Sequence, residues 1–396
     1  MDADAIDRVA VIGAGSMGHG IAETAAMAGY TVSLRDVEAD LVEAGVERIA
    51  WSLDKLADAG RLDEDPEAVL GRVEPTVDLA AAVGAADLVI EAAPERLDLK
   101  RALFADLDRL APEGALLASN TSSLSITAIA EATARPESVL GLHYFNPPVK
   151  MALVEVIAGE ATSEATAEAG IAFVESLGKT PIHVRKDVRG FVVNTVLGPF
   201  MDEPAWMVSA GETTIQAADA AMVHERGYPM GPFELGDLTG IDIGYHVRTE
   251  AGRPIPPIVQ AKVDAGTLGR KTGAGYYDYE DGDGPDYEPA DAAGFDTLRV
   301  EARMVNEAAR LVGDGVATPE AVDTGVTLGT GFPEGICRRG DAIGLDVVLE
   351  RLRSLRAATG DDRYVPADSL VELVEAGRTG VAAGSGFYEY DDGTET

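Results

Sequence analysis

Arg8-Val9-Ala10-Val11-Ile12-Gly13-Ala14-Gly15-Ser16-Met17-Gly18, close to the start of the 396-residue sequence, decides how the first half of the chain folds. With Ile6 and Asp7 ahead of it, the apolar run reads as a buried parallel strand that stops at a glycine turn. The alanine-rich stretch from Ile21 to Ala28 then reads as a helix closed by Gly29, and Thr31 to Leu34 as the next strand. In that setting each glycine has a task. Gly13 permits the tight turn, Gly15 lets backbone approach a pyrophosphate, and Gly18 lets helix and strand pack closely. Ser16 and Met17 lie between the last two glycines, where the helix N-terminus faces an anion. Asp36, at the end of the second strand, is placed to accept hydrogen bonds from an adenosine ribose and to repel a 2′-phosphate, so NAD is expected over NADP. Arg35 beside it is the residue type that accommodates that phosphate. A flavin site or an empty nucleotide fold is the alternative reading of the same turn.

Outward from this unit, Val42, Val46, Ile49, Leu53 and Leu56 recur at steps of four and three, marking one stripe of a long helix that Gly60 ends. Asp65-Pro66 begins a further helical segment. Strand-like runs resume at 87–91, 115–119, 139–143 and 153–157, with helical sequence between several of them, which is the alternation of an α/β domain. From Gly190 the sequence turns helical and proline-punctuated. Pro204 is expected to kink the first long helix there. A stretch rich in Asp, Gly and Pro from Glu280 to about Gly294 reads as a linker.

The helical part repeats itself. Gly227-Tyr-Pro-Met-Gly-Pro-Phe-Glu-Leu-Gly-Asp237 resembles Gly331-Phe-Pro-Glu-Gly-Ile-Cys-Arg-Arg-Gly-Asp341, and Gly273-Ala-Gly-Tyr-Tyr-Asp-Tyr279 is echoed by Gly384-Ser-Gly-Phe-Tyr-Glu-Tyr390. Two copies of one helical domain are therefore expected after the α/β domain, dividing the chain at 1–187, 188–284 and 285–396.

Composition narrows the function classes. Hydrophobic residues at 46% and charged residues at 25% are those of a folded globular chain. A net charge of −36 spread along the whole sequence disfavours nucleic acid and anionic membrane surfaces as partners. Arginine far outnumbers lysine, and the acidic profile suggests a protein adapted to high salt, whose self-repulsion is relieved by screening. The single cysteine, Cys337, forbids an internal disulfide, and no long apolar run is found, so a cytoplasmic protein is expected. No metal-ligand cluster is read from the sequence.

Two clusters carry candidate chemistry. If Val139-Leu-Gly-Leu-His143 and Leu153-Val-Glu155-Val-Ile157 pair as a hairpin about Val149, His143 opposes Glu155 on one face. Such a contact fixes the tautomer and orientation of the ring, which suits a base taking a proton from an alcohol. A strand histidine serves equally well as a satisfied structural residue, and the residues alone leave both readings open. The second cluster is Ser119-Asn120-Thr121-Ser122-Ser123-Leu124, where a strand ends and a helix begins. Capping is the ordinary role of Ser and Thr there, and one pointing into a cleft would instead donate to a substrate oxygen.

Taken together, Gly13 to Gly18, Ser119 to Leu124, Gly141-Leu-His-Tyr-Phe-Asn-Pro147, Leu153-Val-Glu-Val156, Gly190-Phe-Val-Val-Asn194, Pro229-Met-Gly-Pro-Phe-Glu-Leu235 and Gly269-Arg-Lys-Thr-Gly273 resemble the 3-hydroxyacyl-CoA dehydrogenase family over about residues 6–279. The resemblance implies a Rossmann-type NAD-binding domain followed by two tandem all-α domains of the 6-phosphogluconate dehydrogenase C-terminal type. It implies NAD-dependent oxidation of (S)-3-hydroxyacyl-CoA to 3-oxoacyl-CoA, in fatty-acid β-oxidation or 3-hydroxybutyryl-CoA metabolism. By the same resemblance His143 is the general base and Glu155 its support. Ser122 and Asn194 hydrogen-bond the hydroxyl and acyl part of the substrate, and Glu95, Lys100, Asn120, Ser122 and Asn146 lie along the cofactor. Ser122 and Ser123 are interchangeable by one position. Arg48 and Lys55, with Arg61, are candidate contacts to the CoA moiety, although the surrounding segment is acidic. A dehydrogenase of a free hydroxy acid or sugar acid, and a catalytically silent NAD-binding protein, are the competing functions. The second helical copy has no counterpart of the His143 and Glu155 motifs. The expected state is a monomer whose two helical copies pair in cis, or a homodimer.

Overall fold

An eight-stranded sheet organises the first half of the computed structural model, which describes residues 6–280, 284–391 and 394–395. Its strands are β1 (Arg8–Ile12), β2 (Thr31–Arg35), β3 (Val73–Thr76), β4 (Leu88–Glu91), β5 (Leu116–Ser119), β6 (Val139–Tyr144), β7 (Leu153–Ala158) and β8 (Thr180–Val184), in the order β3-β2-β1-β4-β5-β6-β7-β8. Every neighbouring pair is parallel except β6 and β7. The order reverses between β1 and β4, which opens a crevice at the carboxyl ends of those strands. Around the sheet run α1 (Gly18–Met27), α2 (Ala39–Asp58), α3 (Pro66–Leu70), α4 (Leu79–Val83), α5 (Leu97–Leu110), α6 (Ile126–Ala130) and α7 (Glu164–Ser176).

The local causes are legible. β4, β5 and β6 are buried along their whole length, as strands covered on both faces must be. Val42, Ile49 and Leu53 bury the predicted stripe of α2. Asp65 caps α3 by accepting from the Glu67 amide, with Pro66 at the first helical position. β3 and β8 were not anticipated as strands. Each contains a proline, Pro75 and Pro181, and each lies at an edge of the sheet, the place where a missing N–H leaves no ladder bond unmade.

The chain divides into two compact units, residues 1–191 and 192–396. In the second unit α8 (Val193–Ser209), α9 (Ile215–Ala220), α10 (Pro232–Thr239), α11 (Ile241–Glu250) and α12 (Pro257–Ala265) are followed by α13 (Thr297–Gly313), α14 (Pro319–Thr330), α15 (Ile336–Ile343), α16 (Leu345–Thr359) and α17 (Asp368–Glu375). α8 to α11 begin 104 residues before α13 to α16, matching the repeat in the sequence. α8 stays helical through both Pro199 and Pro204. Burial of Val196, Phe200, Pro204 and Met207 offsets the amide bonds those prolines forgo. In the linker stretch, residues 281–283 lie outside the described residues. Beyond them Pro289–Ala292 forms one 3₁₀ turn with a Glu288–Asp291 capping box, and Tyr287 donates to Glu234.

Buried aspartates hold each copy together in the same way. Asp219 accepts from the Phe233 and Glu234 amides and the Tyr277 hydroxyl, and Asp323 from the Cys337 and Arg338 amides and the Tyr388 hydroxyl. Asp237 and Asp341 likewise each take two backbone amides and a tyrosine hydroxyl from the closing segment. Between the copies the contacts are reciprocal. Tyr228 and Phe332, equivalent by the repeat, stack at 4.3 Å, while Gly227 faces Pro333 and Gly331 faces Pro229. That exchange is the signature of a two-fold axis. Glu203 of α8, almost wholly buried, is met by Arg299 at 2.6 Å and by the Tyr364 hydroxyl. Among the described residues no helix is long and apolar enough to cross a membrane, and no cluster of three metal-ligating side chains is present.

Candidate active site

β1 delivers the glycine turn to the crevice. Gly13 has φ +110°, and a Cβ there would lie 2.6 Å from the Ala92 carbonyl oxygen; a Cβ on Gly18 would lie 1.7 Å from that of Gly13. A Cβ on Gly15 would meet nothing within 4 Å, so its open side is where a ligand's backbone contact belongs. α1 has no side-chain cap, and the Ser16 and Met17 amides have no acceptor among the described residues. Unspent amides at a helix N-terminus are what a pyrophosphate requires. Asp36 is clamped at the end of β2, accepting from the Ala14 amide at 2.7 Å and the Val37 amide at 2.6 Å. Arg35 donates to the Val77 carbonyl. The residues present therefore fit a dinucleotide.

At the ends of β4 and β5 lies a buried charge network that composition and spacing did not reveal. Glu91, fully buried, accepts from the Lys100 ammonium, the Ser119 hydroxyl and the Ala93 amide, each at 2.6 Å. Lys100 is equally buried and lies 3.4 Å from Glu95. Glu95 in turn gathers the loop after β5: it accepts from the Thr121 hydroxyl at 2.6 Å and from the Ser122 and Ser123 amides and hydroxyls. Burial alone would push the Glu95 carboxyl up, but the Lys100 charge and these hydrogen bonds hold it below the ordinary carboxylate range. Asn120 accepts from the Tyr144 amide, tying this loop to β6.

β6 and β7 pair antiparallel with His143 opposite Glu155, the register that symmetry about Val149 predicts. His143 Nδ1 and Glu155 Oε2 are 2.7 Å apart, with both residues buried. The ring lies between Phe145 at 4.6 Å and Phe191 at 5.8 Å. Phe191 was missed as a site residue. Its φ of +51° is an uncommon conformation for a side chain of that size, and Gly190 before it at +80° shares the turn. Asn146 is exposed just beyond β6. Asn194 opens α8 in the second unit and is exposed. Arg48 and Lys55 sit on the solvent side of α2, Lys55 3.7 Å from Asp58, and the structure does not bring them to the His143 cluster. Arg61 is exposed beyond the end of that helix.

A glycine cradle with an acid at the end of β2, beside a carboxylate-oriented histidine, defines a dinucleotide-dependent dehydrogenase. The profile of the 3-hydroxyacyl-CoA dehydrogenase NAD-binding domain matches residues 8–188, and that of the family's C-terminal domain matches twice, at 190–279 and 294–390. The chain belongs to the 3-hydroxyacyl-CoA dehydrogenase family, uses NAD and has 3-hydroxyacyl-CoA dehydrogenase activity. It is 42% identical over 285 residues to the probable 3-hydroxybutyryl-CoA dehydrogenase of Bacillus subtilis, a match covering 70% of this chain and 98% of that one. It is 33% identical to the 3-hydroxyadipyl-CoA dehydrogenase of Escherichia coli, over 94% of this chain and 98% of the relative. Its fold matches the crystal structure of 3-hydroxybutyryl-CoA dehydrogenase from Escherichia coli with a TM-score of 0.86 at 32% identity, over 94% of this chain and 99% of the other.

Proposed function

We propose that the chain oxidises an (S)-3-hydroxyacyl-CoA to the 3-oxoacyl-CoA with His143 as general base, in fatty-acid β-oxidation or in 3-hydroxybutyryl-CoA metabolism. The observation that carries this reading is the 2.7 Å contact between His143 Nδ1 and Glu155 Oε2. With Nδ1–H donated to the carboxylate, Nε2 keeps its lone pair for the substrate hydroxyl. Bound NAD supplies the hydride acceptor for the hydrogen leaving C3. As the hydroxyl proton passes to Nε2, the ring becomes an imidazolium whose charge Glu155 balances across the Nδ1 bond.

Gly13, Gly15, Ser16, Met17 and Gly18 would hold the pyrophosphate, and Asp36 the adenosine ribose. Glu95, Asn120 and Asn146 would lie along the nicotinamide half, and Ser122 and Asn194 would bind the substrate hydroxyl and acyl carbonyl. Lys100, being buried, would act on the cofactor through Glu95. Arg48 and Lys55 would meet the CoA phosphates.

We also propose that the two helical copies, divided from each other near residue 284 and from the α/β domain near 187, pair in cis in place of a homodimer. The reciprocal Gly227–Pro333 and Gly331–Pro229 contacts support this. A dimer in the ultracentrifuge would overturn it.

The activity is tested by following NADH absorbance with acetoacetyl-CoA, for wild type and His143→Ala, and again with free acetoacetate. Loss of about 10²–10⁴ in rate on removing a general base is expected. Turnover of free acetoacetate in place of the thioester would favour a free hydroxy acid as substrate. NADH binding without turnover of either would favour a silent NAD-binding protein.

A further inference from the structure

β7 and β8 run against the direction of the other strands, so it is their starts that lie at the edge of the sheet where β1, β4 and β5 end on the crevice. Lys179 stands at that edge, immediately ahead of β8. Its ammonium donates to the Pro148 carbonyl at 2.6 Å and to the Met151 carbonyl at 2.7 Å. Both acceptors belong to the turn over 145–152 that joins β6 to β7. Among the described residues no carboxylate pairs with Lys179, and burial pushes its pKa down. A half-buried cation without a counter-charge costs stability, so the contact calls for a use beyond closing a turn.

The turn lies between the histidine strand and the cofactor cradle. His143 is near the end of β6, Asn146 follows two residues beyond that end, and the buried Pro148 comes next but one. The Pro148 ring rests on α1: a Cβ on Gly20 would lie 3.0, 3.1 and 3.3 Å from its Cδ, Cγ and Cβ. α1 is the helix that the glycine cradle opens. Within the turn the Lys150 and Met151 amides both converge on the Pro147 carbonyl, which closes it locally and leaves its seat on α1 unset. A connection of this length does not fix its own geometry as a two-residue hairpin loop does. One ammonium reaching two carbonyls holds the turn from one side, and the missing side chain of Gly20 admits the proline ring on the other.

We propose that Lys179 is a positioning residue for the dinucleotide: by clamping the 145–152 turn onto α1 it fixes Asn146 relative to the glycine cradle, so that both meet one bound NAD. The proposal rests on the placement of Asn146 along the cofactor given above. His143 and Glu155 are held opposite each other by the strand ladder itself, so the clamp acts on cofactor binding and leaves proton transfer alone.

The test titrates NADH, by fluorescence, into the full chain and its variants. Lys179→Met keeps the stem and deletes the donors. NADH affinity is expected to fall about tenfold, the size of a coupling within one hydrogen-bonded network. KM for NADH should rise in step, while kcat at saturating NADH and KM for acetoacetyl-CoA stay within about threefold of wild type. In the protein without cofactor, the Lys150 and Met151 amides should exchange with deuterium faster and those of β6 and β7 at the wild-type rate. Gly20→Ala, which presses on Pro148 from the α1 side, should weaken NADH binding in the same way, and the double variant should lose less than the two single losses combined. Lys179→Cys alkylated with 2-bromoethylamine regains an ammonium of nearly the same reach. Cys337 is buried, with its thiol pushed up by that burial, and stays unmodified. Alkylation is expected to restore NADH affinity, and this pair decides the matter if Lys179→Met does not fold. NADH affinity unchanged in Lys179→Met, no recovery on alkylation, or a kcat that falls with KM for NADH unchanged, as for a residue that only keeps the fold, overturns the clamp. If wild type binds NADH and turns over no thioester, the binding results still decide the clamp and the activity reading falls alone.

Discussion

Replacing Glu155 by Gln separates the charge of the carboxylate from its shape. In wild type Oε2 sits 2.7 Å from His143 Nδ1, and both groups are out of solvent. Gln keeps the volume and still accepts the Nδ1–H bond, so the resting ring stays oriented. What is lost is the counter-charge when the ring takes the substrate proton. Two unit charges about 4 Å apart at an effective dielectric of ~20 attract by about 4 kcal/mol. The smaller figure comes from exchanging a charge-assisted bond for a neutral one, about 1.5 kcal/mol. At about 1.4 kcal/mol per factor of ten, kcat should fall between roughly tenfold and a thousandfold. The assay is NADH consumption with saturating acetoacetyl-CoA, alongside NADH binding by fluorescence and a melting curve. NADH affinity and melting temperature should hold, because the glycine cradle is built by other strands. A kcat within about threefold of wild type in a folded, NADH-binding variant would refute the role of Glu155 as charge support.

The glycines divide by what surrounds them: Gly18→Ala should destabilise by on the order of 3 kcal/mol, since its Cβ would collide with Gly13, whereas Gly15→Ala should melt like wild type and lose NADH affinity. Calorimetry and NADH titration of both variants check this. Glu23, buried on α1 with one carboxylate oxygen lacking a partner, is raised to about 7 by burial, against a hydrogen bond from Ser52. Because the folded value exceeds the unfolded one, stability is full below about 4.5 and is lost as pH rises through 7. Glu23→Gln should therefore gain up to about 3 kcal/mol at pH 8 and little at pH 4, read from denaturant melts. Tyr277→Phe removes a hydroxyl donor from buried Asp219 and should cost about 1–3 kcal/mol. Tyr388→Phe should cost less, because Arg338 lies 3.0 Å from Asp323, and paired urea melts decide.

How much of this was legible follows from how local each signal is. The strand, turn, helix and acid from Ile6 to Asp36 declare themselves in sequence because backbone sterics at three glycines fix the conformation wherever the segment sits. The facing of His143 and Glu155 was legible too, since antiparallel pairing makes opposition a matter of counting from the turn. Edge strands were not, because a proline in a four- or five-residue run argues against a strand until one knows that the strand has a free side. The Glu91–Lys100–Glu95 network was equally hidden. It folds the end of β4 back onto the first turn of α5 and takes Ser119 from the neighbouring strand, and neither residue type nor spacing signals that a lysine will be wholly buried. Phe191 escaped for a related reason: its left-handed φ is imposed by the turn at Gly190 and not by its own chemistry.

The duplication separates scaffold from chemistry within one chain. Asp323 and Asp341 repeat the backbone-amide and tyrosine-hydroxyl bonds of Asp219 and Asp237, so the framework that closes each copy is the same. At the equivalent of Asn194, however, the second copy has Leu298, and where Arg248 lines a cavity it has Leu352. A residue that merely stabilised the fold would be needed in both copies, because both have the same helices to close. Residues present only in the first copy thus have one of two duties: they meet a ligand, or they serve the contact between copies. Glu203 has a glutamate, Glu307, at the equivalent position of the second copy, and its own partners Arg299 and Tyr364 belong to the opposite copy. Arg248 pairs within its own copy with Asp202, whose counterpart Asn306 is uncharged, so that ion pair is a feature of the first copy alone.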